Sequence, residues 1–287
     1  MTAASEETRS TAVETARDYY NSKDADYFYS QIWGGEDIHI GLYEAVDEAI
    51  NEASQRTVVT MAGRLSGLDA DCHVLDIGSG YCGAARYLAK TYGIRVTGLN
   101  LSEVENKKAR EHNISAGLSS YIEVCDGSFE TMPFESASSS HNGFDIVWSQ
   151  DAILHSGNRQ QVFAETYRVL KSGGYFIFTD PMQADDCPEG VLQPILDRIH
   201  LSSLGSPNYY CTIAKALGFE VLDFDDQTNQ LVNHYQRVLE ETEARAAELE
   251  GKVSANYVER MKAGLRYWIT GGKAGYLAWG IFLLRKP

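Results

Sequence analysis

At 287 residues the chain can bury a large core, and an aromatic share of 11% supplies material for one. Its 40 acidic and 25 basic residues leave a net charge of −15, a field that repels phosphate backbones and anionic lipid heads, so nucleic acid and membrane surfaces are excluded as partners. Five scattered cysteines without a C-x-x-C pair argue for a reducing, cytoplasmic setting and against a disulfide frame or a metal cluster. The same acidity also suits a surface kept hydrated at high internal salt. No basic-then-apolar leader opens the sequence, and no apolar run reaches the ~20 residues of a membrane span.

The first 70 residues are helix-like and rich in aromatics. From there strand and helix patterns alternate. "HVLDIG" is a buried strand, "YCGAARYLAKTYG" a helix stopped by Gly93, and "IRVTGLN" a second strand. Ser102 caps the next helix, with Glu105 as its capping-box partner. "SYIEVCD" and "GFDIVWSQ" are the third and fourth strands, "NRQQVFAETYRVLKSGG" a helix, and "YFIFTDP" the fifth strand. "GFEVLDFDD" and "GYLAWGIFLLRKP" are the sixth and seventh. A charged helix, "LVNHYQRVLEETEARAAELEGK", lies between these two, its charges forming a solvated face. The pattern predicts an α/β, Rossmann-like fold: a seven-stranded, mostly parallel sheet with helices on both faces. We expect one domain, with a core at 71–227 and 273–287, a helical cover at 1–70 and a helical insertion at 228–272. Ligands of such sheets bind beyond the strands' carboxyl ends, here at Gly78, Asn100, Asp126, Gln150 and Asp180.

The stretch "VLDIGSGYCG" places Gly78, Gly80 and Gly83 between the first strand and its helix. Such a loop lets a ligand approach the helix N-terminus, where free N–H groups attract an anion, whether pyrophosphate or carboxylate. Three features turn it away from a dinucleotide. The second strand ends in Asn100, where a ribose-binding acid is wanted; Asp76 suits a ligand with a positive end; and no second nucleotide-binding half follows. The loop therefore looks like the S-adenosylmethionine site of a class I methyltransferase. Gly78 and Gly80 would take the methionine end, Asn100 and Leu101 the ribose, and Asp126, Gly127, Ser128 and Phe129 the adenine. Gln150, Tyr29 and Trp33 are expected around the sulfonium.

More specific stretches carry a family resemblance: "YYNSKDADYFYSQIWGGEDIHIGLY", "DGSFETMPFE", "VWSQDAILHSGNR", "FTDPMQADDCPEGVL", "RIHLSSLGS", "QLVNHYQRVL" and "GKAGYLAWGI". Over nearly the whole length the chain resembles the sarcosine/dimethylglycine N-methyltransferases. It departs at Cys82, where relatives carry a second glycine, and at Cys211, where they carry a basic residue. The resemblance implies methyl transfer to dimethylglycine, with sarcosine as a further acceptor, giving the osmoprotectant glycine betaine without a metal. It also implies a small-molecule enzyme acting as a monomer or weak homo-oligomer.

Such chemistry asks three things of the residues. A base should stand near the amine: Asp151 and His155, four apart, would align over one helical turn, with Tyr20 as a third member, or water alone takes the proton. Aromatic faces should meet the quaternary product, from among Tyr20, Tyr27, Tyr29, Trp33, Tyr209 and Tyr210. An arginine should hold the carboxylate, Arg198 first, then Arg64, Arg159 or Arg266. Pro181 and Met182 are expected to floor the site beneath the alkyl groups, and Tyr209 to flank the acceptor. The competing readings are a methyltransferase for phosphoethanolamine or a phenolic ring, a cofactor-sensing module without catalysis, and an interaction protein using the acidic helix at 240–250. The cofactor-sensing module would leave "SQDAILHS" without purpose.

Overall fold

The computed structural model describes residues 17–18, 21–33, 35–138 and 143–287. Tyr20 lies outside them. A short helix α1 (Lys23–Phe28), capped by the Ser22 hydroxyl, runs into a π-helical turn at Tyr29–Trp33. Helix α2 (Ile50–Gly63) leads to strand β1 (His73–Ile77), α3 (Gly83–Tyr92), β2 (Arg95–Asn100), α4 (Glu103–Ser115) and β3 (Ile122–Asp126). Then come β4 (Phe144–Gln150), α5 (Arg159–Val169), β5 (Leu170–Thr179), β6 (Met182–Gln183), α6 (Gln193–Ile199), α7 (Pro207–Leu217) and β7 (Glu220–Asp226). Helices α8 (Thr228–Ala244), α9 (Ala246–Leu249) and α10 (Ala255–Lys273) precede β8 (Leu277–Ala278) and β9 (Gly280–Arg285).

Seven strands form one sheet in the order β3-β2-β1-β4-β5-β9-β7. The first five are parallel, and β9 runs antiparallel between β5 and β7. The sheet is the mostly parallel, seven-stranded one that the alternation predicts. Two boundaries differ. The helix expected through "RVLKSGG" ends at Val169, because Leu170 already pairs with Phe144. The last strand is split at Trp279, its first half pairing with β6 instead of the main sheet.

Alternating side chains send Leu75, Ile77, Val147, Phe176 and Phe178 to one apolar layer, and Val74, Val96, Ile146, Trp148 and Ile177 to the other. A third core joins the N-terminal segment to the 228–273 helices, through Phe28, Ile32, Trp33, Leu231, Tyr235, Leu265 and Trp268. The charged helix is thus two-faced: Leu231, Tyr235 and Val238 are buried, while Arg237 pairs outward with Glu240 and Glu241. Among the described residues no helix is long and apolar enough to cross a membrane.

The strand order reverses between β1 and β4, which opens a crevice at their carboxyl ends. The N-terminal segment closes over it. Arg17 and Asn21 both donate to Glu103, and the Ser102 hydroxyl donates to Asn21, tying the cover to the start of α4.

Candidate active site

Two chambers meet at the exits of β1 and β4. The first runs along the ends of β1, β2 and β3. Gly78 makes it possible. Its φ is +75°, its N–H donates to the Leu99 carbonyl at 2.8 Å, and a Cβ there would sit 2.4 Å from the Ala152 Cβ. Only a residue without a side chain lets the β1 loop pass beneath the β4 loop. Gly80, Asn100, Leu101, Gly127, Ser128 and Phe129 line the same space.

Glu105 stands behind Asn100, accepts from its Nδ2 at 2.9 Å and also lines the chamber. The backbone half of the expected cap is present, Glu105 N donating to Ser102 Oγ, but the carboxylate turns to Asn100. Burial pushes Glu105 up to about 7, only partly offset by the Asn100 bond. An annex beside Gly78 and Gly80 holds Asp37, His39 and Asp76. Asp76 is buried, and burial raises it to about 7; a cationic group placed beside it would draw it back into the ionised form. Carboxylates at one end, a hydroxyl-binding pair in the middle and Leu101 with Phe129 at the far end fit an amino acid joined to a nucleoside. Asp126 departs from expectation. Asn106 Nδ2 (2.8 Å) and Arg110 Nη2 (2.6 Å) each donate to one of its oxygens, and it does not line the chamber.

The β4 exit is the hinge of the site. Gln150 takes the Trp148 indole N–H on its oxygen (2.9 Å), which turns its amide nitrogen to His39 Nε2 (3.1 Å). Asp151 adopts φ +50° and accepts from the Ile40 N–H (2.6 Å) and the Trp279 indole (2.7 Å). The expected helical turn joining Asp151 to His155 does not form, since left-handed backbone at Asp151 leads into a 3₁₀ turn at Ile153–His155. Asp151 instead ties the β4 loop to the cover and to the start of β9. Asp180 secures the same turn from below, accepting from Leu154 N (2.9 Å) and the Tyr210 hydroxyl (2.6 Å). His155 borders both chambers, and burial, then Arg159 and Arg198, push it down to about 4. It is a neutral imidazole at neutral pH.

The second chamber shares Ile38, Asp151 and His155 with the first. Its aromatic wall is Tyr29, Trp33, Tyr235 and Trp268. Tyr235 stacks on Trp268 at 5.1 Å and meets Trp33 edge-on at 5.9 Å, while Tyr29 tilts against Trp33 at 5.1 Å. Tyr29 and Trp33, expected around the cofactor, belong to this second chamber because the π-helical turn packs on α8. Pro181 lines it; Met182 does not, since it is fully buried in the core, where β6 pairs with β8. Tyr209 stands 41% exposed at the start of α7, away from both chambers. Tyr27 sits beneath Lys252, and Tyr210 is spent on Asp180.

Of the arginines considered, Arg198 alone lines this chamber. Arg64 is paired with Asp223 and Asp225, Arg266 with Glu243, and Arg159 donates to the Leu154 and Ser203 carbonyls. Sequence reasoning missed Glu105, His39, Tyr235 and Trp268. His39 carried a signal, a lone histidine between isoleucines in "EDIHIG". Tyr235 and Trp268 carried none, because an aromatic at helical spacing reads as core.

Comparison with known proteins bears on these chambers. A family model described as a methyltransferase domain matches residues 75–178, from β1 to β5. A sarcosine/dimethylglycine N-methyltransferase of Halorhodospira halochloris is 57% identical over 275 residues, 96% of this chain and 97% of the relative. A dimethylglycine N-methyltransferase of Parasynechococcus marenigrum is 50% identical over 276 residues, 96% and 97%. A crystal structure assigned as a sarcosine dimethylglycine methyltransferase from Galdieria sulphuraria superposes with a TM-score of 0.87 at 44% identity, covering 93% of this chain and 98% of that one. With near-complete coverage at these identities, the chain belongs to the sarcosine/dimethylglycine N-methyltransferase family of S-adenosylmethionine-dependent enzymes.

Proposed function

We propose that the enzyme methylates dimethylglycine on nitrogen, giving the osmoprotectant glycine betaine, and accepts sarcosine one methylation earlier. The observation that carries this reading is the second chamber: four aromatic faces, one arginine, and three residues, Ile38, Asp151 and His155, shared with the first chamber. That is the complement of a small zwitterion that ends as a permanent cation.

Gly78 and Gly80 would hold the methionine end of S-adenosylmethionine, Asn100 with Glu105 its ribose, and Gly127, Ser128 and Phe129 its adenine. Bound there, the cofactor supplies an electrophilic methyl on a sulfonium.

The chain's own residues do the rest. Arg198 takes the acceptor carboxylate, preferably by two parallel hydrogen bonds. Tyr29, Trp33, Tyr235 and Trp268 face the alkylated nitrogen, each worth ~0.5–2 kcal/mol to a cation according to its desolvation. Holding the amine between these two anchors fixes its lone pair in line, the main source of acceleration for two reactants brought into contact. The amine must first lose its proton. Burial and two arginines push His155 down to about 4, a weak base, and the Asp151 oxygens already accept from Ile40 and Trp279, so in this reading water takes the proton. His155 then borders the site as a neutral imidazole that does not repel the cation. Five free cysteines support a reducing, cytoplasmic setting.

The test is a side-by-side assay with labelled methyl donor and glycine, sarcosine, dimethylglycine or phosphoethanolamine. Dimethylglycine should be methylated fastest and sarcosine next. Preference for phosphoethanolamine, whose phosphate asks for more cationic groups than one arginine, would overturn the reading.

A further inference from the structure

Helices α6 and α10 touch where Arg198 crosses Gly264. A Cβ built on Gly264 would lie 2.0 Å from Arg198 Nε, 2.3 Å from its Cδ and 2.7 Å from its Cζ. The guanidinium and its stem therefore fill the volume that any other residue at 264 would take. Gly264 sits inside a 19-residue helix, with Met261 one turn earlier against Arg198 Nη2. Glycine is disfavoured inside a helix relative to alanine, so propensity opposes it here and the arginine supplies the compensating contact. Arg198 also stands between two spaces. One is the aromatic chamber; the other is an outer groove lined by Pro194, Tyr257, Arg260 and Tyr267. The two spaces share Arg198, His200 and Met261, so the guanidinium stands at the boundary between them.

We propose that Gly264 is a positioning residue for acceptor recognition: by having no side chain it seats Arg198 at the chamber wall, and so sets the preference for amines bearing a carboxylate. The proposal rests on Arg198 as the carboxylate partner. A side chain at 264 pushes the guanidinium toward the outer groove, weakening acceptor binding while leaving the cofactor residues in place.

The test is a double-mutant cycle on the full chain with Gly264→Ala, Arg198→Ala and both. It reads KM and kcat for dimethylglycine, the rate with dimethylethanolamine, S-adenosylhomocysteine affinity and thermal midpoint. Gly264→Ala should raise the dimethylglycine KM about tenfold, which is ~1.4 kcal/mol. Its kcat should stay within about threefold, and homocysteine-product affinity and the slow dimethylethanolamine rate should not move. In the Arg198→Ala background the same substitution should add nothing. An unchanged KM in Gly264→Ala, or an effect that simply adds to that of Arg198→Ala, overturns the role of Gly264. An unchanged KM in Arg198→Ala alone overturns the carboxylate assignment instead, and the two failures are told apart by which single variant is silent. Should Gly264→Ala be too unstable to assay, Arg198→Ala must restore its thermal midpoint, because it empties the contested space; no restoration overturns the contact.

Discussion

The two chambers are built by different means. The first is built on the sheet's own loops, the short turns leaving β1, β2 and β3, positioned by the ladder of the sheet, with glycines where a ligand comes close. The second is made of side chains from a π-helical turn, α6, α8 and α10, segments far apart in sequence that share a core separate from the sheet's two apolar layers. A loop fixed by a sheet is a poor place to change chemistry, whereas a helix face can exchange a side chain while the sheet's loops stay where they are. Cofactor and acceptor recognition are therefore mechanically separable, and variants should sort cleanly between them.

The largest break in that separation is expected on the cofactor side. Gly78→Ala combines left-handed strain, ~1–2 kcal/mol, with a collision against Ala152, so S-adenosylhomocysteine affinity by calorimetry should fall on the order of 100-fold. Undiminished affinity would mean that the loop is free to move and is no scaffold. A smaller, opposite signature is expected from Trp268→Leu. Losing one desolvated aromatic face, ~1–2 kcal/mol, should raise the dimethylglycine KM about 5- to 30-fold and leave product-cofactor affinity alone. A fall in both affinities would show that the chambers are coupled. The smallest effect belongs to the shared residue His155. Burial and two arginines hold it near 4, so it is deprotonated throughout the assayable range. Above about pH 5 the rise of kcat/KM with pH then follows the acceptor amine, and His155→Ala should keep that rise while losing less than about tenfold in kcat. A general base would cost about 10²–10⁴ and take the acid limb with it.

The same contrast explains what could be read beforehand. Strand alternation, the Gly93 stop, the Ser102 cap and the glycine loop are local statements about φ, ψ and neighbours a few residues away. The sheet and the residues around Gly78, Asn100 and Phe129 follow from them. Tyr235 and Trp268 enter the acceptor chamber because α8 and α10 pack on each other and on the N-terminal segment, and no local pattern distinguishes a chamber wall from a core face. Arg198 was reachable through the need for a carboxylate partner after β5, but its competitors Arg64, Arg159 and Arg266 could be set aside only once their own partners were visible. The Asp151–His155 pairing failed for a narrow reason. Spacing of four implies a neighbourly pair only in α-helix, and the positive φ at Asp151 is invisible in the letters.

The position of β9 has a consequence for how the molecule is made. β7 pairs with β9 and with no other strand of the sheet, yet β9 lies beyond three helices in sequence. On the ribosome, β7 therefore emerges as an orphan edge, with Phe224 waiting for Phe282, while the β3-β2-β1-β4-β5 half is already free to assemble. Seating β9 zips that edge shut and in the same movement delivers Trp279 to Asp151. A nascent chain stalled before this point would carry a finished nucleoside shelf and an Asp151 carboxylate still without its indole partner.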